Sequence, residues 1–104
     1  MEADGRRSEL GGSAVLGRDP VIPDARSHAK PLRFDDPARS LSKTHALIDV
    51  EGGRVLIQEL NSTNGIVIIS ATGIRNEMPA GSSRQLLSGD RIELGEFMLW
   101  VVRE

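Results

Sequence analysis

The alternation of short apolar runs with turn residues constrains the fold of this chain more than any other feature of its sequence. Runs rich in Val, Ile and Leu recur about every 8 to 12 residues, with Gly, Pro, Asn or Asp between them, as is typical of β-sandwiches and β-barrels. No window of about 11 residues has apolar residues at helical spacing without a Gly or Pro inside it. The sequence therefore predicts an all-β fold.

The apolar runs give the predicted strands. They are residues 14–16, 32–34, 46–50, 54–60, 66–69, 73–75, 84–87, 91–94 and 97–103. The glycine pair Gly52-Gly53 between two of these runs predicts a hairpin. Residues 21–41 are loop-like apart from the brief run at 32–34, and a connection this long inside a compact domain is usually functional or mobile.

The N-terminal segment differs in character from the rest of the chain. Residues 1–13 are charged, carry three glycines and have one isolated large apolar residue, Leu10, so they offer no face to bury. We expect a disordered leader or an appended tail there, followed by a single domain over residues 14–104.

Composition excludes several functional classes. The chain has 104 residues, a formal net charge of -2 and no cysteine. Without a basic excess, nucleic-acid binding and direct membrane contact are not expected. With no thiol and only two histidines, we expect no disulfide, no metal and no cofactor. Because the chain also lacks a signal peptide and an apolar stretch of roughly 20 residues, we expect a cytoplasmic location, either alone or as the cytosolic domain of a larger protein.

Four short motifs lie in order between the predicted strands. They are Gly17-Arg18, Ser42-Lys43-Thr44-His45, Asn61-Ser62-Thr63-Asn64-Gly65 and Gly89-Asp90-Arg91-Ile92-Glu93-Leu94-Gly95. Each is weak alone, but together they resemble the forkhead-associated (FHA) domain, whose usual pattern is Gly-Arg, Ser-Arg-x-His, Ser-x-Asn-Gly and a late Gly-Asp-x-Ile-x-Leu-Gly. The resemblance implies a twisted antiparallel β-sandwich that binds phosphothreonine in partner proteins and catalyses no reaction.

The resemblance also assigns binding roles to individual residues. Arg18 is similar to the arginine that binds the phosphate, and Ser42 to the serine whose hydroxyl donates to it. Thr63 and Asn64 resemble the pair that holds the phosphate and the ligand main chain. Lys43 replaces the family's usual arginine and keeps the charge without the bidentate fork. These residue types suit a phosphate monoester, which has close to two negative charges and three acceptor oxygens.

Three further residues resemble structural members of the family. His45 is similar to a histidine that braces the binding loops by hydrogen bonds, and Gly65 to a glycine with a backbone angle that other residues avoid. Gly17 belongs to the same supporting group. Ile66 departs from the pattern, because a threonine commonly follows Asn-Gly in the family.

The N-terminus departs from the family pattern as well. One or two strands usually precede the Gly-Arg strand, and residues 1–13 offer no apolar run for them. These strands are therefore either missing or replaced, and without them residues 97–103 would form an unpaired edge. An unpaired edge predicts low stability or strand exchange between copies, so we expect a monomer or a weak strand-exchanged dimer.

The sequence leaves other functional interpretations open. Ser42 and His45 could be the nucleophile and base of a small hydrolase, but no nucleophile elbow or third residue accompanies them. The fold could also act as an assembly module without phosphate dependence. Arg39 is either a surface residue or an added charge near the phosphate. The leading prediction is an adaptor that binds a phosphothreonine-containing partner after a Ser/Thr kinase has acted on it.

Overall fold

The structure, a computed structural model, describes residues 2–3, 6–7 and 12–101 of the chain. The described residues form eleven strands and one short 3-10 helix, Asp24–Arg26. The strands are β1 (Glu2–Ala3), β2 (Arg6–Arg7), β3 (Ala14–Gly17), β4 (Lys30–Arg33), β5 (Ala46–Glu51), β6 (Arg54–Glu59), β7 (Ile66–Ile69), β8 (Arg75–Glu77), β9 (Ser83–Leu86), β10 (Arg91–Leu94) and β11 (Phe97–Trp100). In the described ranges, no helix is long and apolar enough to cross a lipid bilayer.

The strands form two sheets that pack as a sandwich. One sheet has the order β2-β1-β11-β10-β7-β8, and the other has the order β4-β3-β5-β6-β9. The hairpin predicted at Gly52-Gly53 is confirmed: β5 and β6 pair antiparallel from Ala46↔Glu59 to Glu51↔Arg54. Both glycines have positive φ, at 53° and 79°, in the range that a tight hairpin turn requires. The prediction of an all-β sandwich is thus confirmed.

The core lies between the two sheets and consists mainly of Ile and Leu. Along β5 and β6, Ile48 and Ile57 are directly paired and fully buried. From the other sheet, Ile68, Ile92 and Leu99 face them in the same cluster. Because successive side chains of a strand point to opposite faces, every second residue of these runs enters the core. Burial of this apolar surface is the main favourable term for folding.

The long connection after β3 is a crossover, because β3 and β4 pair parallel, in register from Ala14↔Lys30 to Gly17↔Arg33. A parallel pair requires the chain to return along the sheet, which takes about a dozen residues. Residues 18–29 make this return over the outer face of the five-stranded sheet. There Ala29 packs on Val15 and Leu47 in a second small apolar cluster. The antiparallel expectation therefore fails at this one pair, and β4 begins two residues before the predicted run.

The N-terminal residues contribute strands that the sequence does not announce. Glu2–Ala3 pairs antiparallel with Leu99 and Trp100 of β11, and Arg6–Arg7 pairs with β1 in turn. The expected unpaired edge at residues 97–103 is therefore wrong for Leu99 and Trp100. Edge pairing needs only backbone N–H and C=O groups, so it does not require an apolar run in the sequence. The remaining residues before position 12 lie outside the described part of the chain.

Gly17, at the end of β3, allows two backbone segments to approach closely. A Cβ atom at this position would lie 2.2 Å from the Lys43 carbonyl oxygen and 3.1 Å from that of Ser42. The approach lets the amides of Arg18 and Asp19 donate to these same two carbonyls, at 3.1 and 3.0 Å. Position 17 therefore requires glycine because the two backbone segments lie so close together, and not because its φ is positive.

Replacing Gly17 by alanine should separate these two segments. We expect Gly17→Ala to lower the free energy of unfolding by about 1–3 kcal/mol, because the new methyl group overlaps a backbone oxygen. Urea denaturation followed by tryptophan fluorescence measures the loss. Gly12→Ala is the matched control, since a Cβ there meets nothing within 4 Å, and it should change the value by less than about 0.5 kcal/mol. Equal stability of the two variants would contradict this role for Gly17.

Candidate functional site

Three loops meet at one end of the sandwich and carry the five residues predicted to bind the ligand. β5 pairs antiparallel with both β3 and β6, so the end of β3, the start of β5 and the end of β6 lie together. Arg18 follows β3, Ser42 and Lys43 precede β5, and Thr63 and Asn64 lie between β6 and β7. The topology thus places the five predicted binding residues on neighbouring loops.

Ser42 is the point of contact between the three loops. Its carbonyl oxygen accepts a hydrogen bond from the Arg18 amide at 3.1 Å, and its Oγ accepts one from the Thr63 amide at 2.9 Å. A hydroxyl that accepts in this way still has its own hydrogen to donate. The Ser42 hydroxyl is therefore held in place from one side and can donate to a group on the other.

His45 supports this arrangement from below. The side chain is fully buried, its Nδ1 accepts from the Ser42 amide at 3.0 Å, and its Nε2 lies 2.8 Å from the Gly65 carbonyl oxygen. Because an amide can only donate, Nδ1 carries no hydrogen, and Nε2 must be the donor to Gly65. The neutral ring therefore ties the loop before β5 to the loop before β7.

The same contacts bear on the hydrolase interpretation. A serine nucleophile needs its Oγ within hydrogen-bond reach of the base. Here the His45 ring bonds to the backbone amide of Ser42 and to the Gly65 carbonyl, and Ser42 Oγ bonds to the Thr63 amide. The arrangement is that of a brace between loops, not of a nucleophile with its base.

The loop between β6 and β7 has its own internal bonds. Gly65 has a φ of 73° and donates its amide to Ser62 Oγ at 3.0 Å, so the glycine predicted from the sequence occupies a left-handed position. Asn64 is exposed and donates from Nδ2 to the Ser40 carbonyl at 2.7 Å, which uses one of the two amide hydrogens. Thr63 is exposed beside it.

Glu59 is a supporting residue that the sequence analysis missed. Its carboxylate is 1% exposed and accepts three backbone amides: Asn61 at 2.8 Å, Ser62 at 2.6 Å and Gly81 at 3.1 Å. Burial raises the pKa of Glu59, but the hydrogen bonds from Ser62, Gly81 and Asn61 outweigh it and hold the pKa below the usual 4.5. The signal was available, because alternation in β6 places Glu59 on the same inward face as Ile57.

A second buried carboxylate organises the loop before β5. Asp36 accepts from the Leu41 amide at 2.6 Å and from Ser40 Oγ at 3.0 Å. Burial raises the pKa of Asp36, but the hydrogen bonds from Leu41 and Ser40, with the charge of Arg18, bring it below 3.8. Ser40 Oγ also accepts the Glu96 amide at 2.9 Å. The Ser40 carbonyl that receives Asn64 is thereby fixed to both sheets.

Arginine and aspartate side chains line a cavity at this end of the sandwich. Arg18 lines an open cavity of about 790 Å3 together with Asp19, Arg33, Phe34, Asp35, Asp36, Pro37 and Arg39. Arg18 Nε is buried and has no hydrogen-bond partner within the described ranges. Lys43 and Arg39 are exposed, and Arg39 has a positive φ of 53°. Asp19 is paired with Arg33, and Asp36 accepts a loop amide. Arg18 Nε and the exposed cations Arg39 and Lys43 therefore supply donors and positive charge that suit an anion with several acceptor oxygens.

A metal site finds little support in the same region. Among the residues that the structure describes, no three His, Asp or Glu side chains come close enough together to hold a metal ion. The two buried carboxylates of the site, Asp36 and Glu59, are both occupied by backbone amides.

The charged form of the Glu59 carboxyl stabilises the protein above about pH 4.5, because folding lowers the pKa of this group. This contribution is lost as the pH falls through the lowered pKa of the folded state. We expect Glu59→Gln to lower the free energy of unfolding by about 1–3 kcal/mol at pH 7, since the NH2 group of the glutamine must face backbone N–H donors. The variant should also lose less stability than the wild type between pH 7 and pH 3. Urea denaturation across this range tests both effects. Glu77→Gln, at an exposed position, is the control, and equal pH profiles for wild type and Glu59→Gln would contradict the assignment.

Comparisons with known proteins agree with this architecture. The family model for the FHA domain matches residues 14–95. An FHA domain studied for phosphothreonine-dependent FHA domain interactions is 30% identical, with a TM-score of 0.67, over 97% of this chain and 88% of that chain. The FhaA FHA domain, solved in complex with the intracellular domain of Rv3910, is 31% identical, with a TM-score of 0.61, over 91% of this chain and 86% of its own.

A more distant match is similar in fold alone. The FHA domain of human APLF, in complex with an XRCC1 bisphospho peptide, is 21% identical, with a TM-score of 0.61, over 91% of this chain and 87% of that chain. No curated protein sequence matches the chain. The match to the family model covers most of the chain and includes all four motifs, so the chain belongs to the FHA domain family.

Proposed function

We propose that this domain binds phosphothreonine-containing segments of a partner protein, with the phosphate held by Arg18 and Ser42. The observation that carries the proposal is the hydrogen-bonded meeting of three loops at Ser42, whose carbonyl oxygen accepts the Arg18 amide and whose hydroxyl accepts the Thr63 amide. A rigid β-sandwich that presents side chains from loops is a common platform for recognition. The solved relative studied for phosphothreonine-dependent interactions adds support.

Arg18 supplies the cation in this proposal. Its Nε is a buried donor without a partner in the described part of the chain, and such a donor is costly until an acceptor reaches it. A phosphate monoester offers three acceptor oxygens in a geometry that fits the guanidinium fork. Binding would thus supply an acceptor to a donor that has none among the described residues.

Ser42, Thr63 and Asn64 complete the contact. The Ser42 hydroxyl, fixed by the Thr63 amide, donates its hydrogen to a phosphate oxygen. Asn64, anchored on Ser40 by one amide hydrogen, holds the peptide main chain next to the phosphate. The anchors reduce the freedom that these side chains lose on binding, and this favours affinity. Affinity in the micromolar range, about -8 kcal/mol, suits a short extended peptide.

Three finer parts of the proposal rest on the family. An FHA domain that acts as an adaptor is expected to prefer phosphothreonine over phosphoserine. Its binding is controlled by an upstream Ser/Thr kinase, and its role is non-enzymatic. A cytoplasmic location stays a prediction, as does a monomer or weak dimer. An assembly role without phosphate dependence is the alternative outcome of the experiments below.

Removal of the Arg18 guanidinium should abolish most of the phosphate-dependent affinity. We expect Arg18→Ala to weaken binding of phosphothreonine peptides roughly 30-fold or more, the effect of about 2 kcal/mol, with Arg18→Lys in between. Fluorescence anisotropy with matched threonine, phosphothreonine and phosphoserine libraries measures it. Arg54→Ala is the control, because Arg54 begins β6 at the opposite end of the sandwich. Phosphate-independent binding by the wild type, or unchanged affinity in Arg18→Ala, would favour the assembly module.

Lys43 should act through its charge alone. The side chain is exposed, so we expect Lys43→Ala to weaken binding only about 2- to 5-fold at low ionic strength, mainly through the association rate. The difference should vanish at about 0.5 M salt, where the Debye length falls to a few ångströms. Stopped-flow association at two salt concentrations tests this. A loss as large and as salt-insensitive as that of Arg18→Ala would instead indicate a direct, geometrically fixed contact.

A further inference from the structure

β8 (Arg75–Glu77) is an open edge of the six-stranded sheet, and all three of its residues are exposed. On either side of the strand, the Ile74 carbonyl and the Met78 amide form hydrogen bonds with the backbone at the two ends of β7. In an antiparallel ladder, only every second residue bonds to a given neighbouring strand. The N–H and C=O groups of Arg75 and Glu77 therefore point away from β7, toward the open side of the sheet.

The sequence around this edge is complementary to itself when two copies run in opposite directions. From Ile74 to Met78 the residues are apolar, positive, amide, negative and apolar. If a two-fold axis passes through Asn76, Arg75 of one copy lies opposite Glu77 of the second copy, and Ile74 lies opposite Met78. A two-fold axis makes each of these contacts occur twice. The order of residue types thus favours one register of pairing between two copies.

The backbone groups favour the same register. Arg75 and Glu77 have the outward-pointing N–H and C=O groups, and in this register they lie directly opposite each other. Such a pair exchanges two N–H···O=C bonds, and the two-fold axis generates a second pair. Asn76 then lies opposite Asn76 of the second copy, where the side chains approach closely and each amide can both donate and accept. A shift by one residue would place the free groups opposite Asn76, whose backbone faces β7.

The charges of Arg75 and Glu77 differ in how far they are neutralised within one copy. Arg75 donates two hydrogen bonds to the Glu93 carboxylate, at 2.9 and 3.0 Å, which hold its guanidinium on the outer face of the sheet. In the part of the chain that the structure describes, the Glu77 carboxylate has no hydrogen bond or ion pair. Pairing at this edge gives that carboxylate an arginine. Opposite charges directly across two strands are stabilising, and like charges there are destabilising.

An exposed apolar side chain lies at the same edge. Ile74 is 62% exposed, whereas Met78 is 8% exposed and belongs to the rim of the main core. Side chains alternate along a strand, so both point to the inner face of the sheet, together with Asn76. Pairing brings Ile74 against Met78 of the second copy and removes apolar surface from water, which favours association.

Two other edges of the sandwich lack this complementarity. Pro31 removes an N–H donor from the edge strand β4, and proline is a common means of blocking pairing at an edge. β9 (Ser83–Leu86) has a single charged residue, Arg84, so no antiparallel register of β9 with itself brings opposite charges together. The features that favour self-association are therefore found together at β8.

We propose that two copies of this domain associate by antiparallel pairing of β8 with β8, centred at Asn76, which joins their six-stranded sheets into one. The contact is smaller than the roughly 1,000 Å2 of a stable interface, so the dimer is weak, with a dissociation constant of about 0.1–1 mM. The domain is then monomeric at micromolar concentration and dimeric where copies are crowded together. Because the paired strands are antiparallel, the binding ends of the two copies face in opposite directions. The inference is independent of what those loops bind.

Sedimentation equilibrium from micromolar to low millimolar concentration tests the proposal through charge reversal. Arg75→Glu and Glu77→Arg each place like charges opposite one another, so each variant alone should associate at least about tenfold more weakly than the wild type. An equimolar mixture of the two variants restores opposite charges at both pairs and should recover the wild-type association. Arg54→Glu, the same charge change at the exposed start of β6, is the matched control and should associate like the wild type.

Amide NMR locates the contact and shows that each variant is folded. With increasing concentration, the wild-type amides of Arg75 and Glu77 should shift and exchange their hydrogens more slowly. Ile74→Ser should weaken the association about 3- to 5-fold through the lost apolar contact. A wild type that stays monomeric at millimolar concentration would overturn the inference. So would an association that either reversal variant leaves unchanged, or a mixture that associates no better than its two components.

Discussion

The binding end of this domain depends on one buried, neutral imidazole. His45 accepts from the Ser42 amide and donates to the Gly65 carbonyl, so one ring fixes the position of the serine and of the loop that carries Asn64. Full burial of the ring keeps water from competing for either bond. The two loops connect different pairs of strands, and the ring holds them together as one binding surface.

Two buried carboxylates likewise fix the loop backbones by accepting hydrogen bonds. Glu59 collects three amides around the β6–β7 connection, and Asp36 fixes Leu41 and Ser40 before β5. Each replaces water as the acceptor for amides that the loop geometry leaves without strand partners. Loops built in this way lose little conformational entropy when a ligand binds, so a few contacts suffice for useful affinity.

Local patterns in the sequence predict most of the fold, but not its non-local pairings. The alternation in β5 and β6 and the glycine pair between them locate the hairpin, because that register is set within a dozen residues. The parallel pairing of β3 with β4 depends on contacts made across the crossover, and β1 pairs with β11 through backbone groups alone. Neither pairing leaves a periodic signal in the side chains.

The candidate site also has parts that the sequence predicts and parts that it does not. Arg18, Ser42 and Asn64 are visible as short motifs because their chemistry depends on residue type, and the structure brings their loops together. Glu59 was overlooked because a single glutamate at the end of an apolar run resembles an exposed residue until the alternation of the strand is followed. Gly17 was identified by position alone, and the backbone contact that requires glycine became visible only with the second loop in place.

The most direct test of phosphothreonine recognition is a titration of the 15N-labelled domain with a phosphothreonine peptide and with its unphosphorylated counterpart, followed by amide NMR shifts. We expect saturable shifts with the phosphopeptide alone, concentrated at Arg18, Ser42, Thr63 and Asn64. Absence of shifts at these amides, or equal shifts with the unphosphorylated peptide, would contradict the proposed role of this site.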